Sequence, residues 1–323
     1  MSTSVAPART RTPGTLFTRL SIPIAIVVLL AIGTVISPSF LTPSNLINVL
    51  NANAAVGLIA LGMTFVAVCG GLADLSVPAN VAMGALVTLG AQSFVGPGLA
   101  AVMGLLVATI GGIINGVLIG YLRINPIIAT LGTGSVLLGL SQQLVGGGIV
   151  YGEASPLSDF IKGSALGIPI FVWIFAIVAA ILIPLLSRTA FGRWNLAVGG
   201  NYQAAEASAV PVRFTKASAF VLTGLLAGLC GVMLALSNGQ ARPIIGTGYE
   251  FVAITAVVIG GTSLFGGSGS VLRTVGGVIV TALIGNLIIL SGLPTQSTGL
   301  VTGAIVLVAV GIDVFFRRKA GRE

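Results

Sequence analysis

One acidic residue stands where it could take part in solute chemistry, in a short polar segment between two long apolar runs. Asp74 lies in the segment GGLADLSVP at 70–78. The glycines and the proline predict non-helical backbone, which an apolar environment tolerates only where protein or water satisfies its polar groups. Two interpretations follow. The segment is either a re-entrant element that holds Asp74 and Ser76 beside a path for a polar solute, or a helix cap at the cytoplasmic interface made by one of these two side chains.

Further polar side chains lie inside apolar runs, where each has two possible roles. They are Asn115, Gln142, Gln143, Asn286 and Gln296. Their amides could hydrogen-bond a polyol in transit, or they could bond a neighbouring helix, which is the commoner role in membrane bundles. Both roles stay open from the sequence.

Two patterns that could indicate an enzyme are incomplete. The chain has no histidine, which excludes Ser–His nucleophilic pairs, HExxH zinc sites and imidazole proton relays. The glycine-rich segment GGTSLFGGSG at 260–269 superficially resembles a phosphate loop, but it lacks the Gly-Lys-Ser/Thr ending that reaches the phosphates. We therefore expect a turn between broken helices at 260–269, no catalytic residue, no metal site and no enzymatic activity.

The composition defines the elements that must position these residues. Hydrophobic residues make up 55% of the 323 residues and charged residues 7%, with a mean hydropathy of +1.11. A soluble domain cannot hide that much apolar surface, so we predict an all-α integral membrane protein, folded as a polytopic bundle. The 46 glycines are typical of helices that approach closely through small faces. Cys69 and Cys230 lie in apolar runs and are expected to be core residues.

Apolar runs suited to crossing ~30 Å of hydrocarbon predict about ten transmembrane helices. The predicted spans are 20–36, 46–68, 79–94, 99–121, 127–145, 168–186, 214–236, 248–260, 274–290 and 299–316. Spans three, eight and nine are short, so we expect loose boundaries or broken helices there. The domain organisation is then a cytosolic tail (1–19), one transmembrane domain (20–316) and a second cytosolic tail (317–323).

The basic residues set the orientation in the membrane. With ten spans and both termini in the cytoplasm, all but two of the 15 lysines and arginines fall on the cytoplasmic side, and only Lys162 and Arg242 fall outside. We therefore attribute the net charge of +8 to membrane topology and predict no nucleic-acid partner. The same orientation places residues 188–213 in the cytoplasm and the loop 146–167 outside.

The cytoplasmic stretch 188–213 is a long polar interruption that predicts a short helix of its own. Gly199-Gly200 leads into Asn201, a good N-cap for a helix over 202–210, and Pro211 ends that helix. Helices this short are marginal in water on their own. The small residues on it favour a ridge that docks into a partner, and the alternative is a plain connecting loop with one helical turn.

Four stretches together resemble the permease subunits of bacterial ATP-binding-cassette importers of the ribose or monosaccharide type. They are GGLADLSV at 70–77, residues 126–132, residues 191–210 and GYEFVAITAVVIGGTSLFGG at 248–267. The likeness covers about residues 40–315, and the last stretch is close to a family signature. It implies a ten-helix permease of the bacterial inner membrane that imports a monosaccharide or related polyol by alternating access.

The resemblance also implies partners within the membrane and on both sides of it. Separate cytoplasmic ATPase subunits would use ATP and Mg, so this chain itself is expected to bind no cofactor. The permease would pair among membrane lipids with a second copy of itself or with a close paralogue. A periplasmic or lipid-anchored sugar-binding protein would deliver the substrate.

Under this resemblance the stretch 188–213 is the coupling loop that contacts the ATPase. The residues expected to carry that contact are Gly199, Gly200, Asn201, Gln203, Ala204, Ala205, Glu206 and Ala209. Gln203 and Ala209 replace a glutamate and a glycine of the family's pattern, which keeps a ridge of small residues. The residues expected near the substrate pathway are Asp74, Ser76, Asn115, Gln142, Glu250 and Asn286. The sugar stays open, because Pro78 and Val252 replace a glycine and an aspartate common in the family.

An ATPase-independent secondary transporter or channel for a small polar solute is the alternative. That class predicts acidic or histidine relays inside the spans, and this chain has no histidine and few acids there. An intramembrane protease would need a histidine or a second aspartate, and Asp313 at a helix end is a poor partner for Asp74.

Overall fold

The computed structural model describes residues 13–292, 299–301, 303–304, 307 and 311, with side chains from residue 20 onward. The described part of the chain is mostly helical, with two small two-stranded sheets. Most of the predicted tail 1–19, most of the predicted tenth span 299–316 and the whole of the tail 317–323 lie outside the described residues.

The helices and strands are numbered in chain order. The helices are α1 (Pro13–Ile36), α2 (Pro43–Val68), α3 (Val77–Val95), α4 (Pro97–Gly116), α5 (Pro126–Val145), α6 (Pro156–Lys162), α7 (Ile170–Arg188), α8 (Ala190–Gly200), α9 (Tyr202–Ala207), α10 (Val212–Asn238), α11 (Tyr249–Ile259) and α12 (Val271–Leu290). A π-helical turn, Val117–Tyr121, extends α4. The strands are β1 (Val150–Tyr151), β2 (Ser164–Ala165), β3 (Ile168–Pro169) and β4 (Gln240–Ala241).

Helices α2 and α10 form the centre of the bundle. In their apolar windows 78% and 72% of the residues are buried, against 28% in α5 and α7. Leu58 and Met63 of α2 belong to the same buried cluster as Cys230 and Met233 of α10, and each of the four is at most 1% exposed. Inside a membrane such packing stabilises through van der Waals contact, since lipid tails are as apolar as the side chains.

Glycines let α4 pack against α10 with backbone on backbone. A Cβ added at Gly112 would lie 3.0 Å from the Cα of Gly224, and a Cβ added at Gly224 would lie 2.7 Å from the Cα of Gly112. One turn along, a Cβ at Gly116 would lie 2.8 Å from the carbonyl oxygen of Ala217. The glycine content therefore serves close helix contact, as the composition predicts.

Local signals in the sequence fix many helix ends. Proline occupies the first turn of α2, α4, α5 and α6, where its missing N–H costs no helical hydrogen bond. Thr42 caps α2 by accepting from the N–H of Asn45, and Asn125 caps α5 by accepting from the N–H of Ile127. Gly239, with φ of 65°, ends α10 in the left-handed conformation that glycine adopts without steric cost.

Six helices of the described part are long and apolar enough to cross a membrane. They are α2, α4 with its π-helical turn, α5, α7, α10 and α12. The predicted ninth span begins earlier than expected, at Val271, and its 20 residues suffice for a crossing. The eighth is short as predicted, since α11 has 11 residues and ends in the glycine-rich segment 260–269. The third predicted span is the 19-residue α3, most of which is buried.

Two polar segments are more structured than the sequence predicts. The loop 146–167 contains β1, α6 and β2. Strand β1 forms because it pairs antiparallel with β4 at the end of α10. The stretch 188–213 contains α8 in addition to the expected short helix. That short helix is α9, and it ends at Ala207 rather than at 210, because Ala209 adopts a left-handed φ of 58°.

The bundle has two distinct ends. At one end the turn after α4 meets α9, where Arg123 Nη2 and Glu206 Oε1 are 3.4 Å apart. At the other end β1 pairs with β4, and β2 pairs with β3 ahead of α7. The first end carries most of the basic residues in the described part of the chain, and the second carries Lys162 and Arg242.

Candidate functional site

The break between α2 and α3 has an irregular backbone that presents Asp74 to the bundle interior. Gly70 and Leu72 adopt left-handed φ angles of 76° and 60°. The carboxylate of Asp74 bonds the residue two positions later. Its Oδ1 accepts from the N–H of Ser76 at 2.9 Å and from the Ser76 hydroxyl at 2.6 Å. Asp74 is 0% exposed. Ser76 precedes α3 but its side chain caps no backbone N–H of that helix, so the Asp74 carboxylate acts on the start of α3 through Ser76.

Ser76 is the centre of a buried polar cluster, which we call the Ser76 cluster and define as Asp74, Ser76, Asn80 and Asn115. The amides of Asn80 on α3 and Asn115 on α4 both donate to Ser76 Oγ, at 3.0 and 2.8 Å. All four side chains are 0% exposed. One hydroxyl therefore joins the helix break to two neighbouring helices.

The Ser76 cluster contains more acceptors than donors. Among the described residues, Asp74 Oδ2, Asn80 Oδ1 and Asn115 Oδ1 are buried without a hydrogen-bond partner. An unmet buried acceptor costs roughly 1–3 kcal/mol. The cluster therefore favours a hydrogen-bond donor, such as water or a sugar hydroxyl, wherever one can reach it.

A cavity of about 420 Å³ lies between α2, α11 and α12. Its polar lining residues are Asn48, Asn53, Tyr249, Thr255, Thr281 and Asn286, and the rest of its wall is largely apolar. The volume falls in the range of small-molecule sites, and a mixed wall of this kind suits a ligand that is hydroxylated on one side and apolar on the other.

Four of the six polar lining residues are hydrogen-bonded to their own or neighbouring helices, namely Asn53, Thr255, Thr281 and Asn286. Asn286 on α12 and Asn45 on α2 exchange two amide hydrogen bonds of 3.0 Å each. The hydroxyl of Thr281 donates to carbonyls of its own helix at 2.9 and 3.1 Å. Asn286 therefore borders the cavity while its amide joins two helices, so the helix-contact role left open by the sequence is realised here.

The six residues predicted for the pathway fall into separate places. Asp74, Ser76 and Asn115 lie together in the Ser76 cluster, and Asn286 borders the cavity. Gln142 lies at the opposite end from α9, beside a cavity of about 510 Å³ that Arg242 also lines. Glu250 lies in the first turn of α11, half-buried, with Oε2 unpartnered among the described residues.

Sequence reasoning missed Asn80 and Asn45, which complete the two polar contacts. Asn80 follows Ser76 by four residues, the spacing that brings two side chains onto one helix face. Asn45 had no comparable signal, because its partner Asn286 is 241 residues away in the chain.

The end of the bundle that carries α9 has a defined hairpin made of α8 and α9. Asn201 caps α9 as predicted, accepting from the N–H of Ala204 at 2.9 Å. Ala205 is buried, whereas Gln203, Ala204 and Glu206 are exposed. One face of α9 therefore docks on the bundle and the other is free to meet a partner.

Two cations hold the first residue of α9 against the bundle. The guanidinium carbon of Arg123 lies 5.7 Å from the ring centroid of Tyr202, and Nζ of Lys216 lies 5.3 Å from it. Both distances fall within the ~6 Å range of cation–π attraction. The Arg123–Glu206 contact adds an exposed ion pair.

Comparison with known proteins identifies the class. The model of the family described as "Branched-chain amino acid transport system / permease component" matches residues 45–310. The chain belongs to this family. Because its members are permease components, the alternative of an ATPase-independent transporter is disfavoured, and the chain is a multi-pass protein of the inner membrane.

Three of the relatives are sugar permeases that match along most of their length. The ribose import permease protein RbsC of Bacillus subtilis is 38% identical over 296 residues, covering 88% of this chain and 89% of that protein. The D-allose transport system permease protein AlsC of Escherichia coli is 35% identical, covering 88% of each. The L-arabinose ABC transporter permease protein AraH of Azospirillum brasilense is 36% identical over 320 residues, covering 98% of this chain and 94% of that protein. No solved structure matches.

Proposed function

We propose that this chain is the transmembrane permease subunit of an ATP-binding-cassette importer and that it carries a monosaccharide or related polyol into the cell. The observation that carries the proposal is the similarity to ribose, allose and arabinose permeases over 88–98% of this chain. The chain is a transport component and no enzyme. ATP and Mg are used by partner subunits, and this chain binds neither.

The α8–α9 hairpin is the contact with the ATPase. Gly199, Gly200, Asn201, Gln203, Ala204, Ala205, Glu206 and Ala209 belong to it. The exposed face of α9 supports this role, as does the concentration of basic residues at the same end, which the positive-inside rule assigns to the cytoplasm. Ten crossings with both termini in the cytoplasm account for this distribution.

The opposite end receives the substrate from a periplasmic or lipid-anchored binding protein. There β1 and β4 join the loop 146–167 to the end of α10, which gives a folded surface. A second copy of this chain, or a close paralogue, completes the pathway in the membrane. Asp74, Ser76, Asn115, Gln142, Glu250 and Asn286 are the residues we assign to the pathway.

Sugar uptake into proteoliposomes tests the function. The chain is reconstituted with the ATPase subunit that co-purifies with it and with the binding protein, and labelled D-ribose, D-allose and L-arabinose are offered separately. We expect ATP-dependent uptake of one of these sugars or of a close analogue. ATP-independent uptake, or failure to retain any ATPase subunit, contradicts the proposal.

A paired substitution tests the coupling role of α9. Ala204→Trp places a bulky side chain on the exposed face of α9, and Val136→Trp places one on the exposed surface of α5, where Val136 is 63% exposed. We expect Ala204→Trp to reduce uptake at least tenfold and Val136→Trp to leave it near the parent level. Equal uptake by the two variants contradicts the coupling role.

A further inference from the structure

Three segments that are distant in sequence meet through backbone atoms beneath the α8–α9 hairpin. They are the end of α2, the end of α8 and the glycine-rich segment between α11 and α12. The N–H of Gly267 donates to the carbonyl oxygen of Val68 at 2.9 Å. We call this contact the glycine junction and define it as Val68, Gly70, Gly199, Gly266 and Gly267.

The glycine junction leaves no room for side chains at its centre. A Cβ added at Gly199 would overlap the carbonyl oxygen of Val68 and would lie 2.6 Å from the nitrogen of Gly267. A Cβ added at Gly266 would lie 2.7 Å from the carbonyl oxygen of Gly199 and 2.9 Å from the nitrogen of Gly70. Because backbone touches backbone, no side-chain rotamer lies between the segments to absorb a displacement.

Each chain segment that leaves the glycine junction leads to a part of the proposed transport machinery. Gly199 is two residues before Asn201, the cap of α9. Gly70 is four residues before Asp74, whose carboxylate belongs to the Ser76 cluster. Gly267 leads through Ser270 into α12, which lines the 420 Å³ cavity. The junction therefore lies between the ATPase-facing hairpin, one helix break and one cavity wall.

We propose that Gly199 is a positioning residue that transmits displacement of α9 to Gly266-Gly267 and Val68, and so to the α2–α3 break and α12. This inference rests on the proposed function, since it names the route by which ATPase movement reaches the pathway. Packed elements move as rigid bodies when no compliant side chains separate them. The hairpin, the glycine-rich segment and the end of α2 therefore move together during transport.

A glycine far from the junction provides a control. A Cβ added at Gly139 on α5 would meet no neighbouring atom within 4 Å. Gly199→Ala and Gly139→Ala therefore make the same chemical change, and only the first forces the junction open.

Reconstituted complexes of the two variants separate transmission from assembly. We expect both to retain the ATPase subunit and to hydrolyse ATP, while Gly199→Ala loses at least tenfold of its ATP-driven sugar uptake and Gly139→Ala stays within about twofold of the parent. Equal uptake by the two variants overturns the inference. Loss of ATPase binding by Gly199→Ala also overturns it, because the glycine would then serve assembly rather than transmission.

A distance measurement in the unperturbed junction tests the same idea without a glycine substitution. Ser208→Cys and Phe265→Cys place spin labels on two exposed positions, and the native Cys69 and Cys230 are too buried to react. We expect the distance between these labels to stay constant between the nucleotide-free and ATP-bound complexes, while the distance from Ser208 to a label at Tyr151 on the opposite end changes. A change in the 208–265 distance on ATP binding overturns the inference even if Gly199→Ala fails to fold.

Failure of the inference and failure of the proposed function give different results. If the parent chain shows no ATP-driven uptake of the three sugars or their analogues and retains no ATPase subunit, the proposed function fails. If the parent transports while Gly199→Ala matches Gly139→Ala, only the inference fails.

Discussion

Asn45 and Asn286 hold α2 and α12 together by exchanging two hydrogen bonds of 3.0 Å between their amide groups. Asn286 of this pair borders the cavity between α2, α11 and α12. In a membrane the alternative for either amide is contact with apolar surroundings, so each side chain stabilises the position of the other. The cavity wall is thus positioned by a polar contact between residues from the two ends of the chain.

Disrupting this amide pair should destabilise the bundle, and the effects of the two substitutions should be energetically coupled. In a double-mutant cycle of Asn45→Ala and Asn286→Ala, we expect a coupling of about 0.6–1.7 kcal/mol, the range for polar contacts between membrane helices. Unfolding by SDS in mixed micelles measures it. Thr281→Ala is the control, because its hydroxyl bonds only its own helix. A coupling near zero would show that the two amides do not depend on each other.

Ser76→Ala should be more damaging than the removal of an ordinary buried hydroxyl. The change removes the bonds that Asp74, Asn80 and Asn115 make to one oxygen, so we expect a loss of about 2–3 kcal/mol in the free energy of unfolding. Ser141→Ala is the matched control, since Ser141 is also buried but donates only to the carbonyl of Leu138 on its own helix. Similar losses for the two variants would contradict the central position of Ser76.

Alanine at Gly224 should loosen the contact between α4 and α10. Its Cβ would lie 2.7 Å from the Cα of Gly112 and 3.1 Å from the carbonyl oxygen of Ala108, so the helices must separate. Such overpacking costs typically about 1–3 kcal/mol. Gly139→Ala on α5 is the control, because no atom lies within 4 Å of its added Cβ. Unfolding in SDS should give Gly224→Ala a much lower free energy of unfolding than Gly139→Ala. The reverse order would refute the close contact between α4 and α10.

Tyr202 should hold α9 through its aromatic face rather than through its hydroxyl. We expect Tyr202→Ala to increase tryptic cleavage at the exposed Arg193 about five- to thirtyfold, since the variant loses two cation–π contacts of about 0.5–1 kcal/mol each. Tyr202→Phe keeps the ring and should cleave at the parent rate. Glu206→Gln should have little effect, because the Arg123–Glu206 pair is about half exposed. Faster cleavage of Tyr202→Phe than of the parent would assign the role to the hydroxyl instead.

Several features of this protein are readable from the sequence because they depend on neighbouring residues. The cap of Asn201 on α9 and the glycine-rich breaks at 70–78 and 260–269 are local, and the structure has them where the residue types indicate. The membrane class follows from composition alone, because a chain with 55% hydrophobic residues cannot bury them in a soluble domain. The motif at 248–267 carries the family resemblance in the same direct way.

Other features exist only once the chain has folded. Three contacts join residues that are 41 to 241 positions apart in the chain: Asp74 with Asn115, Asn45 with Asn286, and Val68 with Gly267. No local pattern in the sequence encodes such partners. The strands β1 and β4 are also tertiary, since two residues form a strand only when a second segment offers its backbone groups. Composition and short-range patterns thus determine which segments are helical and apolar, whereas the choice of partners depends on which backbones can approach closely, and that is decided by packing.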